Sequence, residues 1–431
     1  MRPNLLPATM PAPGIRPAAL TSLLLLATFL CASVAPPAQA ETIWSRLFGV
    51  GESLRYEINT PTHGFTVRVH GSLTINDAED DVTTVTHWAA IEERREGVKR
   101  AMTFKLEKNG QVSRNYTVGG RPMPVDDEAR RWLARVLPVM LRETGLQREQ
   151  RIDRIMAKAG PAAAHRAVID EMKLILSAHS RRKYAQSLLG RGPLPAAEFA
   201  PFMAAVADID GDYDKRQVLN TLIDKQTLTP ALQAEVLKRV AQMSSDYEQR
   251  SVLVVLAPKL VAEPAVAAAW QSVLRAMDSD HERGEVVRAM VRREGGSPAV
   301  IDLALSSARE IAGDFERAGA LAQIAKQLGT PSAAQVVAYA DAASGIRSDF
   351  ERRNALEALV KRAALDKAGH ERVLAAMKGM QSDHEIRQVL VTIARQMPAD
   401  PALVARWRDV ARMLSEHERG QAERAMDERK L

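Results

Sequence analysis

Three stretches set an acid, a histidine and a glutamate side by side: SDHERG at 279–284, SDHEIR at 382–387 and SEHERG at 415–420. Asp, His and Glu ligate metals and move protons, so the triplets pose a metal or catalytic site written three times. Their spacing argues otherwise. A zinc-peptidase helix needs a second His four residues after the first, and the positions four after His281, His370, His384 and His417 hold Glu285, Leu374, Gln388 and Gln421. Related stretches fill the His slot with Tyr213, Tyr247, Phe315 and Phe350, and a degenerate copy has His179. Phe neither ligates a metal nor transfers a proton. The slot therefore reads as a flat ring packed between neighbouring units, with His serving as a ring.

No other chemistry-bearing motif completes itself. The chain has no G-x-S-x-G, no phosphate-binding P-loop and no dinucleotide fingerprint. The run NDAEDD at 76–81 offers oxygen ligands for calcium but lacks the glycine and terminal Glu of a calcium loop, so it reads as an acidic solvated turn. No catalytic, cofactor-binding or metal-ligating residue is assigned, and no enzyme activity or cofactor is expected. Were the chain a hydrolase using its N-terminal region, His63, His70, His87 and Asp80 would be the first suspects.

The elements that carry these stretches repeat. Aligned on the acid, the motif begins at Asp212, Asp246, Asp280, Asp314, Asp349, Asp383 and Glu416, at spacings of 34, 34, 34, 35, 34 and 33 residues. The degenerate copy from Ala178 keeps the register, which makes eight units. Each unit holds two helix starts. The first is an N-cap followed by Pro, as in Thr229-Pro230, Ser297-Pro298, Thr330-Pro331 and Asp400-Pro401, where Pro fits the first turn because its missing N–H has no partner there. The second is the motif itself, in which Ser245 with Glu248, Ser279 with Glu282, Ser348 with Glu351, Ser382 with Glu385 and Ser415 with Glu418 stand three apart as capping boxes. The intervening Asp places negative charge at the helix N-terminus. Val218, Leu219 and Leu222, with Leu232, Val236 and Val240, mark the apolar faces. Two short helices per unit bury such faces only when stacked. Asp212 with Arg216, Asp246 with Arg250, Asp349 with Arg353 and Asp383 with Arg387 read as local ion pairs four apart on the helix surface, and a charged ladder along the solenoid is the sharper alternative.

Residues 41–125 follow a different grammar. SLRYEIN, GFTVRVHGSLTIN, DVTTVTHWAAIEE, VKRAMTFKLEK and QVSRNYTV alternate like strands, and Asn109-Gly110 marks a hairpin. The fold class is thus α+β: a β-rich domain at 41–125, a connecting helical segment at 126–160, and an α-solenoid at 161–431 of about eight 34-residue helical pairs. These pairs lack the Trp, Leu-Gly, Tyr pattern of tetratricopeptide repeats, and short HEAT-like pairs describe them better.

Residues 1–40 read as a signal peptide, with Arg2 and Arg16, the apolar run LTSLLLLATFLCASVA, and AQA before Glu41. The residues before Cys31 do not suit a lipoprotein signal. Cys31 is the one cysteine, so the mature chain has neither disulfides nor a thiol nucleophile. No later apolar run reaches the roughly twenty residues of a spanning helix. The chain carries 59 Lys and Arg against 53 Asp and Glu; without Arg2 and Arg16 the count is 57 against 53, a mild +4. Such an excess gives no reason to expect a nucleic-acid partner.

GESLRYEIN through AEDDVTTV, EERREGVKR and RNYTVGGRPMPVDDEARRWLARVLPVMLRETG resembles the exported C-terminal region of BlaR-type membrane metallopeptidases and their stand-alone relatives, in which a β-rich segment precedes SDYEKR-like repeats. In those proteins the peptidase lies in a separate membrane part with a zinc signature, which this sequence lacks. The resemblance carries over no catalytic residue and implies an accessory, sensory module of the envelope. The expectation is a periplasmic or secreted, non-enzymatic scaffold with protein partners along the solenoid. Binding of an anionic glycan or lipid surface is the alternative, and a hydrolase in the β-rich domain is the third reading.

Overall fold

Alternating residues of the N-terminal region pair into one antiparallel sheet. The computed structural model describes residues 53–59, 63–292 and 296–431. The expected leader and the expected mature start at Glu41 lie outside these residues, as does the side chain of His63. The sheet runs β1 (Ser53–Asn59), β2 (His63–His70), β5 (Trp88–Arg95), β6 (Val98–Leu106), β7 (Val112–Val118) and β8 (Arg121–Met123), in that spatial order. Between β2 and β5 the chain leaves to form a two-stranded ribbon, β3 (Leu73–Ile75) with β4 (Val82–Val85).

Two runs expected as single strands, 64–76 and 81–93, therefore each break in two. The break falls at Gly71, whose φ of +83° suits glycine and whose missing Cβ leaves room for the Thr86 hydroxyl and the His87 ring. The Asn109-Gly110 hairpin forms between β6 and β7 with Gly110 at φ +81°. Strand β8 went unexpected because Pro122 interrupts it, yet an edge position tolerates proline.

One face of the sheet is dry. Val67, Ile91, Met102 and Tyr116 stand in register across four strands, all buried. Helix α1 (Asp127–Thr144) covers them with Trp132, Leu133, Val136, Leu137, Met140 and Leu141, a three-and-four spacing that gives one apolar stripe. Asp126 caps the helix by accepting from the N–H groups of Glu128 and Ala129 at 3.0 and 3.1 Å. Glu93 of β5, 3% exposed, accepts from the Trp132 indole at 3.0 Å and from both terminal nitrogens of Arg135 at 2.7 Å, so a buried carboxylate clamps helix to sheet.

After α2 (Arg148–Ala159) the chain is a series of helical pairs. The first helices are α3 (Ala164–Lys173), α5 (Ala196–Ala207), α7 (Pro230–Val240), α9 (Pro264–Ala276), α11 (Pro298–Ala308), α13 (Ala333–Ser344), α15 (Lys367–Ala376) and α17 (Pro401–Ala411). The second helices are α4 (Ala178–Gly190), α6 (Asp212–Lys225), α8 (Asp246–Leu256), α10 (Asp280–Met290), α12 (Asp314–Ala325), α14 (Asp349–Arg362), α16 (Asp383–Gln396) and α18 (Glu416–Asp427). Each first helix packs on the neighbouring first helices and each second helix on the neighbouring second ones, giving two parallel rows around a continuous core from Ile152 to Met426. That is the α+β, solenoid-like architecture expected from the period. Thr229, Ser297 and Asp400 cap their helices as expected. At Thr330-Pro331 the helix starts later: Ser332 is the cap, and its reciprocal bond with Gln335 makes a complete capping box.

Candidate interaction surface

The first turn of every second helix carries the motif, and the structure gives each position a separate task. Ser245, Ser279, Ser348 and Ser382 accept from the N–H three residues on, as N-caps do. The reciprocal half of the expected boxes is not made at these helices, and Ser415 makes no side-chain cap at all. The reason is that the cap's own N–H already has a partner in the preceding unit. Asp246 accepts from the N–H groups of Asp278 and Ser279 at 2.8 and 2.6 Å, Asp280 from Ala312 and Gly313 at 2.9 and 2.7 Å, and Asp349 from Gln381 and Ser382 at 2.7 Å each. Asp212, Asp314 and Asp383 repeat the bond at their own junctions. The motif Asp is thus a staple to the next repeat rather than only a charge at a helix end.

The arginines are staples too, which corrects the ion pairs expected within each helix. Arg216 pairs with Glu248, Arg250 with Glu282, Arg353 with Glu385 and Arg387 with Glu418, each the motif Glu of the following unit. Acid and base alternate along the row, but they are engaged with one another. The residue three after the acid turns inward instead: Gln249 donates to the carbonyls of Val240 and Met243, and Arg283 to those of Leu274 and Met277, closing the C-terminus of the unit's first helix. Arg317 and Arg352 do the same at Ile311 and Ile346.

Apart from the half-buried Tyr213, the ring that follows the acid does not pack between repeats. Phe315 is 70% exposed, Tyr247 55% and Phe350 52%, and His179, His281, His384 and His417 are exposed as well. This overturns the packed-ring reading of the slot. The helical period already contained the answer: at about 100° per residue, the position after the acid lies opposite the face of Val218, Leu219 and Leu222. Rings therefore stand in a row on the outer side of the second helices, one per unit. Arginines lie over several of them, Arg216 over Tyr213 at 5.0 Å, Arg250 over Tyr247 at 4.8 Å and Arg353 over Phe350 at 4.8 Å, while Arg387 reaches the Nδ1 of His384 at 3.0 Å. In the middle of the row the arginine position holds Gly284 and Ala318. There Arg288 and His281 approach Glu316 at 3.1 and 3.2 Å, and Phe315 is more exposed than Tyr247 or Phe350.

Among the described side chains the hydrolase suspects do not assemble. Along the backbone His63 and His70 sit at opposite ends of β2, and Asp80 lies in the ribbon turn, bonded to Asn76 at 2.6 Å. His70 and His87 meet, ring centroids 4.8 Å apart, beside the exposed Trp88; Ser53 Oγ lies 3.1 Å from the Nδ1 of His70, and no carboxylate completes a relay among the described residues. His370, by contrast, is buried; burial pushes its pKa down, and its Nδ1 faces the Asp366 carbonyl at 2.9 Å. Among the described residues no group of three or more His, Cys, Asp or Glu could hold a metal.

The acidic turn is only partly solvated. Asp77 and Asp80 are exposed, but Asp81 holds Arg114 at 2.8 Å, and Glu79 holds Arg151 and Arg154 of α2 at 3.0 and 3.1 Å. Arg151, buried, also meets Glu171 at 2.6 Å and the Tyr184 hydroxyl at 3.2 Å. The ribbon is therefore latched to the first solenoid helices. Beside it, Glu143 at the end of α1 accepts from the N–H groups of Leu176 and Ser177 and from Tyr56 of β1 at 2.9 Å. Those N–H groups precede α4 as Ser244 and Ser245 precede α8. Glu143 thus makes the staple bond on behalf of the β domain.

Among the described residues no helix is long and apolar enough to cross a membrane. No family model matches the chain, and none of the curated proteins matches it. A search of the solved structures finds a chain described as "Computational Design of Self-Assembling Cyclic Protein Homooligomers", at 16% identity over 65% of this chain and 88% of that one, with a TM-score of 0.13, a likeness that carries no argument about function.

Proposed function

We propose that the protein is an exported, non-enzymatic scaffold that binds an extended segment of a protein partner along the ring row of its second helices. The observation that carries this reading is that the rings are exposed while the charged groups around them are engaged by neighbouring repeats. A fold needs the staples; it does not need the rings. Regularly spaced aromatics over engaged arginines present large, stiff contact area at low entropic cost, the composition of binding hot spots. The signal-peptide pattern at 1–40 supports an envelope location, and the resemblance to BlaR-type exported regions supports an accessory role.

The test is capture from envelope extract with tagged protein. Wild type is expected to retain a discrete protein, and the Tyr247→Ser/Phe315→Ser/Phe350→Ser variant to lose it, while Leu176→Ser, an exposed residue off the row, keeps it. Equal retention by wild type and the triple variant would refute the ring row as the working surface. Retention of polysaccharide alone would favour the glycan reading.

A further inference from the structure

The β domain carries a cleft of its own. Between α1 and the β3–β4 ribbon lies a cleft of about 510 Å³, within the usual range for small-molecule sites. Val125 and Ala134, both half-buried, give it an apolar lining, and the core side chains of Met102 and Leu133 lie behind them. Its charged residues fall into two classes. Arg114 is fixed by both oxygens of Asp81 and by the carbonyl of Val82 at 2.9 Å, and Arg130 by Asp127 at 2.7 Å and the carbonyl of Val125 at 3.2 Å. These groups are walls, held in place before any ligand arrives.

The other two are available. Asp80 gives one carboxylate oxygen to Asn76 and has no ion pair among the described residues. Arg131, exposed, has neither a hydrogen bond nor an ion pair among the described residues; of the acids one turn before it, Asp127 is bonded to Arg130 and feels Arg131 through its charge alone, and Glu128 pairs with Arg100. One unpaired acid and one unpaired guanidinium therefore line the same apolar cleft without meeting each other. A ligand complementary to that arrangement has a cationic end, an anionic end and an apolar body.

We propose that this cleft binds a short apolar peptide with free termini, its ammonium facing Asp80, its carboxylate facing Arg131 and its side chains on the half-buried Val125 and Ala134. The proposal is independent of the ring row, which lies on the other domain. Both charges are at the rim, so each end contributes modestly and salt weakens both.

Calorimetric titration of the full chain with the dipeptide Leu-Leu, its N-acetyl form and its C-terminal amide tests this. Leu-Leu is expected to bind saturably, and each blocked form about fivefold or more weaker. In Asp80→Asn the free and acetylated peptides should bind alike; in Arg131→Met the free and amidated ones should. Both residues are exposed, so unchanged melting curves certify that the variants fold. No saturable binding of Leu-Leu, or blocked peptides that bind as tightly as the free one, overturns the proposal. So does dependence on only one of the two ends, which would mean a singly charged ligand.

Discussion

Asp280 shows what a single motif side chain does. Burial pushes its pKa up, but the N–H of Ala312, the Arg283 guanidinium and the N–H of Gly313 outweigh burial and hold the carboxyl below its ordinary value. A folded-state pKa below the unfolded one adds stability that is fully present above the ordinary Asp value, about 3.9, and is lost as pH falls toward the lowered value. Asp280→Ala removes two charge-assisted bonds across a repeat junction and should cost about 2 kcal/mol in urea unfolding at pH 7. The difference from wild type should shrink below pH 4. Hydrogen exchange should quicken first at 312–325, because solenoid stability is close to a sum of neighbouring terms. The sequence shows the Asp at 212, 246, 280, 314, 349 and 383 but not its partner, since backbone donors 32 and 33 residues away leave no side-chain signature.

At the scale of elements, most of the fold was legible and the places where it was not have physical causes. The strand period, the helical period and the 34-residue repeat are written in residue types, and they give the sheet and the paired helices. The ribbon excursion was hidden because Gly71 and Ser72 join two strands without changing the alternation. The covering of the sheet by α1 rests on Glu93, an acid in a strand whose buried position sequence alone assigns to solvent. Arg135→Met should take both guanidinium bonds from the buried Glu93 carboxylate and destabilise the β domain by about 3 kcal/mol, read from Trp fluorescence during unfolding. Adding Glu93→Gln should recover part of the loss, because a neutral amide costs less to bury than a carboxylate that has lost its guanidinium.

Over the whole molecule the chain separates what holds from what shows. Asp and Arg staples join unit to unit, Glu143 and the Glu79–Arg151 latch join the β domain to the first units, and the Tyr247, Phe315 and Phe350 rings stand exposed outside these bonds, whereas His281 reaches Glu316 of the next unit. This separation was half legible. A slot filled by Tyr, His and Phe signalled that ring shape matters there, and the helical wheel placed that slot outward, yet a ring invites the expectation of a core. The central claim is that the row is surplus to the fold and so free for a partner. Phe315, 70% exposed and in a unit with Ala318 at the arginine position, tests it most directly. Equilibrium unfolding of Phe315→Ser should match wild type within about 0.5 kcal/mol, as for an exposed site. A loss of about 3 kcal/mol or more, the cost of emptying a packed aromatic position, would contradict the account.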